Sequence, residues 1–173
     1  MSNLRIQKAL SDEIYFCTLT VKNWYYVLDR FCRFEILSDS LNFCCERKGL
    51  QIYSYVFMLN HIHIIASAPD LGDVLRDFKK FTSKEISKNI CTFEPSILRL
   101  FESEKGFQFW EPGNCPKLIS SEKFLEQKVS YVEMNPVRKQ YVTIPEHWYW
   151  SSAHPSQPIQ ISSISDYRAH TFN

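Results

Sequence analysis

The chain predicts an α+β fold: a ferredoxin-like sandwich, with an antiparallel sheet and helices packed on one face. Two observations lead there. Segments with the two-residue period of a strand alternate with segments spaced by three and four, in the order strand, helix, strand or strands, helix, strand, helix. Glycine is scarce, with four in total, and none builds a Gly-rich phosphate loop, which argues against P-loop and Rossmann nucleotide folds. With 173 residues, 45% of them hydrophobic, the chain can bury a core as one domain.

The elements follow in order. Residues 15–21, Tyr-Phe-Cys-Thr-Leu-Thr-Val, alternate and are rich in β-branched side chains, so they read as a first strand. An aromatic-rich connection, 23–29, leads to a helix from about Asp29 to Lys48. Its apolar positions Phe31, Phe34, Ile36, Leu37, Leu41, Cys44 and Cys45 recur at helical spacing. Gly49 suits the left-handed residue that closes a helix. A second strand runs from about Leu50 to Met58. Leu59-Asn60 can carry a turn or a bulge, and a strand holding His61 and His63 ends near Ser67. A second helix spans about Leu71 to Asn89, with Val74, Leu75, Phe78, Phe81 and Ile86 on its apolar face. Residues 91–106 read as a loop or insertion. The stretch from Phe107 to Ile119 reads as a strand interrupted by a turn at Pro112-Gly113-Asn114. Ser120 or Ser121 caps a third helix that runs from Glu122 to Met134 or Asn135, before Pro136. Apolar alternation returns over 137–144, and an aromatic segment follows to Ala153. Residues 1–153 read as a single domain, and 154–173 as a loosely ordered tail.

Charge and cysteine usage narrow the class. The formal net charge is +1, from 20 Lys and Arg against 19 Asp and Glu, so any nucleic-acid surface must be a local patch. The six cysteines form no C-x-x-C pair, which disfavours a cysteine-built zinc site. No secretory signal and no membrane-spanning apolar run is visible, so a cytoplasmic, soluble protein is expected.

Two stretches carry chemistry. His61 and His63 lie two apart on a strand, so they project from one face and can form two corners of a metal site. Tyr131 and Asn135 lie four apart and share a helix face, with Gln127 one turn earlier. A tyrosine beside a metal-binding pair can serve as a nucleophile. A phenol ordinarily ionises near pH 10, so its activation must recover about 4 kcal/mol at pH 7. Either stretch alone is an ordinary structural pattern. On the second helix Arg76, Lys79, Lys80, Lys84 and Lys88 make a basic face, relieved by Asp77 and Glu85, that reads as a solvated surface or as phosphate contacts.

Taken together, Met58-Leu59-Asn60-His61-Ile62-His63, the later Tyr131-Val132-Glu133-Met134-Asn135-Pro136-Val137-Arg138, and Trp148-Tyr149-Trp150-Ser151-Ser152-Ala153 resemble the single-tyrosine HUH transposases, specifically the REP-associated tyrosine transposases. The resemblance covers about residues 13–153. It implies that His61, His63 and Asn135 bind Mg²⁺ or Mn²⁺ and that Tyr131 is the nucleophile. It further implies that the enzyme cuts single-stranded DNA beside a hairpin, through a 5′-phosphotyrosine link, and rejoins strands without ATP. Arg76, Lys79, Lys80, Lys84 and Arg138 would then contact DNA, and Gln127 would support the site. Some relatives exchange catalytic helices across a dimer, so a homodimer is among the arrangements the resemblance admits. Two positions depart from the family pattern: Leu59 replaces a proline, and Glu133 replaces a histidine. These departures leave a competing reading, a domesticated module that binds structured DNA or RNA without cutting it. A zinc hydrolase built on the His pair is a third reading, and it lacks an H-E-x-x-H motif.

Overall fold

The computed structural model describes residues 13–104 and 106–164. Strand β1 (Tyr15–Thr20), helix α1 (Arg33–Lys48), strands β2 (Gln51–Phe57) and β3 (His61–Ser67) and helix α2 (Leu71–Phe93) follow one another. Short strands β4 (Glu102–Ser103), β5 (Gly106–Phe107) and β6 (Lys117–Leu118) lead to α3 (Glu122–Glu133) and α4 (Asn135–Arg138). The main sheet has the order β2-β3-β1-β6, and its pairings are antiparallel. The predicted α+β class holds.

The alternative over residues 50–67 resolves as a hairpin. Strands β2 and β3 pair antiparallel, Phe57 opposite Ile62, around a turn at Met58-Leu59-Asn60. That turn is anchored from outside, because the Leu59 carbonyl accepts the Val27 and Leu28 N–H groups, each at 3.1 Å. Leu59, where the family pattern has proline, packs against the main core.

Strand parity divides the sheet into two faces. Cys17, Leu19, Ile62, Ile64 and Ala66 point into the main core, under α1 and α2. Phe16, Val56, Met58 and Ile65 point to the opposite face, where Leu125 and Val132 of α3 cover them. The expectation of helices on one face is therefore refined: α1 and α2 share a face, and α3 lies across the other. Its apolar stripe has nowhere else to be buried.

Other boundaries move for local reasons. Helix α1 begins at Arg33, not Asp29. Arg33 is fully buried and donates to Glu94 at 2.7 Å, to Asn89 at 2.9 Å and to the Val27 carbonyl at 2.8 Å. Gly49 closes the helix at φ +67°, as expected, and a Cβ there would sit 3.3 Å from Pro69. Residues 91–106 are more ordered than a loop: α2 continues to Phe93, a 3₁₀ turn spans Pro95–Phe101, and β4 pairs with β5. The apolar alternation over 137–144 is not a strand. Helical geometry resumes at Asn135, with Pro136 in the first turn, where a missing N–H costs nothing. The aromatic segment covers the free edge of β2, the Phe57 N–H donating to the Trp150 carbonyl and the Ser152 N–H to the Tyr55 carbonyl. Over residues 154–164 the chain expected as a loose tail is packed. Ile159 is buried, and the Ser162 N–H donates to the Ile52 carbonyl at 2.8 Å. Residues 165–173 of that tail lie outside the described residues.

Candidate active site

His61 and His63 sit on β3, an inner strand, on the face that α3 covers. Their ring centroids are 4.7 Å apart. The centroid of Tyr131 on α3 lies 5.4 Å from that of His63. Phe16 of β1 completes the cluster, stacked on His63 at 5.3 Å and edge-on to Tyr131 at 5.9 Å. One chain thus brings its own tyrosine to its own histidine pair.

Both imidazoles are buried, and burial pushes their pKa values down, to about 4 for His61 and about 3 for His63. The positive charge of Lys139 adds to the effect at His61, and those of His61 and Lys128 add to it at His63. At neutral pH the rings are uncharged and carry lone pairs, as metal ligands must.

Neighbouring groups decide which nitrogen is available. Asn60 Nδ2 donates to the Trp24 carbonyl at 3.0 Å, which turns Asn60 Oδ1 toward His61 Nδ1 at 2.7 Å. That oxygen can only accept, so His61 carries its proton on Nδ1 and keeps the Nε2 lone pair free. Thr18 Oγ1 lies 2.8 Å from His63 Nδ1, and Thr18 is the cross-strand partner of His63. The Thr18 hydroxyl can donate or accept there, so His63 offers an Nε2 lone pair in the tautomer whose Nδ1–H donates to Oγ1.

Asn135 is buried. Its Nδ2 donates back to the Tyr131 carbonyl at 3.2 Å, which leaves Oδ1 as an acceptor. Among the described residues no group of three or more His, Cys, Asp or Glu could hold a metal. The histidine pair offers two neutral imidazoles, and Asn135 offers an amide oxygen on the helical stretch that follows Tyr131. These groups carry no negative charge, so an ion held by them would need its remaining ligands from elsewhere, such as phosphate oxygens.

Cations surround the tyrosine. Lys128 Nζ lies 5.2 Å from the Tyr131 ring centroid and 4.7 Å from that of Phe16, and Arg138 Cζ lies 5.3 Å from the Tyr131 centroid. Lys128, Tyr131, Asn135 and Arg138 are spaced three, four and three, so helical geometry brings them to one side. Sequence reasoning found Arg138 and missed Lys128, although the spacing was there to read. It also missed Thr18 and Asn60, which only strand pairing and the hairpin turn bring to the imidazoles.

The remaining candidates are placed elsewhere. Gln127 is exposed on α3. Arg76, Lys79, Lys80 and Lys84 belong to α2, on the sheet face opposite the histidines. Arg76 pairs with Asp73 and Asp77. Lys79 donates to the carbonyls of Glu111 and Gly113, and burial pulls its ammonium down to about 8. Lys80 and Lys84 line an apolar groove with Phe43 and Phe81. Glu133 turns toward Ser152, 3.5 Å away, and away from the tyrosine cluster.

No protein-family model matches the chain. A curated Haemophilus influenzae protein carried under the name of a REP-associated tyrosine transposase is 23% identical over 167 residues, covering 93% of this chain and 90% of its own. A solved structure of a REP-associated tyrosine transposase bound to a REP hairpin matches with a TM-score of 0.69 at 20% identity, over 89% of this chain and 84% of that one. The motif resemblance and both comparisons converge, and the chain has the fold of the REP-associated tyrosine transposases.

Proposed function

We propose that the protein is a metal-dependent single-stranded DNA endonuclease and strand transferase that acts at DNA hairpins through Tyr131. The observation that carries this is the meeting of Tyr131 with His63, at 5.4 Å between centroids, on the one sheet face that holds both histidines. The hairpin bound to the structural relative supports the choice of DNA.

In this reading the Tyr131 phenolic oxygen attacks a backbone phosphorus. The new bond is O–P to tyrosine, and the bond that breaks is P–O3′. The phenolic proton is lost to water, and the departing 3′ oxygen takes up one. A 5′-phosphotyrosine and a free 3′-OH result. Attack by a 3′-OH reverses the step and reseals the strand, so bond energy is conserved without ATP. His61 and His63, through Nε2, and Asn135, through Oδ1, would hold Mg²⁺ or Mn²⁺, which supplies charge stabilisation at a phosphate oxygen. Lys128 and Arg138 attract the DNA backbone to the tyrosine. Phe16 packs against both Tyr131 and His63 and holds their spacing.

Incubation of labelled hairpin DNA with the protein and Mn²⁺ should yield an SDS-resistant protein–DNA adduct. Tyr131→Phe should bind the hairpin and form none. An adduct in that variant would remove Tyr131 as nucleophile, and undiminished cleavage by both His61→Ala and His63→Ala would remove the metal site. Hairpin binding by wild type without any cleavage would favour the domesticated binding module.

A further inference from the structure

The connection between β1 and α1 presents an aromatic that neither the core nor the chemistry of Tyr131 uses. Trp24 is 58% exposed, against the ordinary tendency of so large an apolar ring to be covered. Its edge meets the His61 ring, with centroids 5.8 Å apart and planes at 63°.

The backbone holds it there in an uncommon conformation. Asn23 and Trp24 adopt φ of 54° and 59°, left-handed values that side-chain-bearing residues rarely take and that cluster at ligand-binding sites. Hydrogen bonds keep them in place. The Asn23 N–H donates to the Glu111 carboxylate at 2.8 Å, and the Trp24 N–H to the Val21 carbonyl at 2.9 Å. The Val21 N–H donates to the Asn60 carbonyl at 2.9 Å, and Asn60 Nδ2 donates to the Trp24 carbonyl at 3.0 Å. Asn60 is also the residue that orients His61. The loop presenting Trp24 and the amide setting the His61 proton therefore form one connected unit.

An indole carried on a backbone that is already held loses less freedom when a flat ring stacks on it. Bases inside a duplex have both faces covered, whereas an unpaired base offers a free π-face. We propose that Trp24 is the stacking platform for one unpaired nucleobase of the single strand flanking the hairpin, next to the scissile phosphate. This inference rests on the single-stranded DNA function above.

The test is binding without metal, which separates it from cleavage. Wild type, Trp24→Ala and Trp24→Phe are titrated with a REP-type hairpin bearing a single-stranded flank, intact or with one abasic nucleotide at each flank position in turn. Wild type should lose roughly five- to a hundredfold in affinity at one position. Trp24→Ala should show that loss on intact DNA and no further loss at the same position. Trp24→Phe should recover most of the affinity. Equal binding of intact DNA by Trp24→Ala and wild type would overturn the inference, as would identical abasic profiles in the two proteins. Failure of Trp24→Phe to recover affinity would overturn it too, since the indole would then be structural. If wild type binds no hairpin DNA, the single-stranded DNA reading falls, and this one falls with it.

Discussion

At the scale of single residues, the site depends on groups that hold others in place. Asn60 forces the His61 proton onto Nδ1, and Thr18 engages the matching nitrogen of His63. Outer groups of this kind typically alter metal affinity or activity by ten- to a hundredfold. Asn60→Ala is expected to lower Mn²⁺-dependent cleavage by about that factor, with the circular dichroism spectrum unchanged; cleavage at the wild-type rate would show that the amide does not set the tautomer. The buried imidazoles also make stability depend on pH. Their folded pKa values, about 4 and about 3, lie below the ordinary 6.5. Below pH 6.5 the unfolded chain takes up protons that the folded chain refuses. The stability tied to their neutral state is therefore complete above pH 6.5 and is lost as the pH falls through 4 toward 3. The metal-free Tm should drop between pH 7 and pH 5, and less steeply in His61→Gln/His63→Gln. Equal slopes would place the acid sensitivity elsewhere.

At the scale of elements, α3 is a carrier for the tyrosine. Ser121 caps it by accepting the Phe124 N–H at 3.2 Å, and Leu125 and Val132 anchor it to the sheet. Leu125→Ala removes buried volume and should cost about 3 kcal/mol in urea unfolding. Adduct formation should fall more than hairpin binding, because the anchor sets the approach of Tyr131 to His63. Parallel losses in both would show that the anchor acts through DNA binding and not through the approach of Tyr131 to His63. Helix α2 illustrates the opposite case. Its basic residues were legible, and their destinations were not. Lys79 is engaged by backbone carbonyls of the 111–113 loop, and Arg76 by aspartates of its own helix. A charge run says where cations are in the chain, but not which sheet face they reach.

At the scale of the whole molecule, the His pair and the tyrosine meet within one chain. A site complete in a single copy predicts no complementation. Mixing Tyr131→Phe with His61→Ala/His63→Ala should yield no covalent adduct; recovery of adduct in the mixture would mean that helices exchange between copies. A formal +1 over 173 residues gives no global attraction to a polyanion, yet Lys128 and Arg138 place positive charge beside the tyrosine. Attraction of this kind is local and weakens with salt. Among the described residues no helix is long and apolar enough to cross a membrane.

The sequence by itself determined the α+β class, the His-x-His strand, the tyrosine helix and its cap, and the closing glycine of α1. Each follows from local periodicity or from the conformational needs of one residue. Only the tertiary structure decided that α3 crosses the face bearing the histidines, while α2 packs on the other. It alone brought Thr18 and Asn60 to the imidazole nitrogens and set Trp24 against His61. These placements depend on strand pairing, on which face each apolar stripe covers, and on hydrogen bonds between residues distant in the chain. No local pattern encodes such contacts.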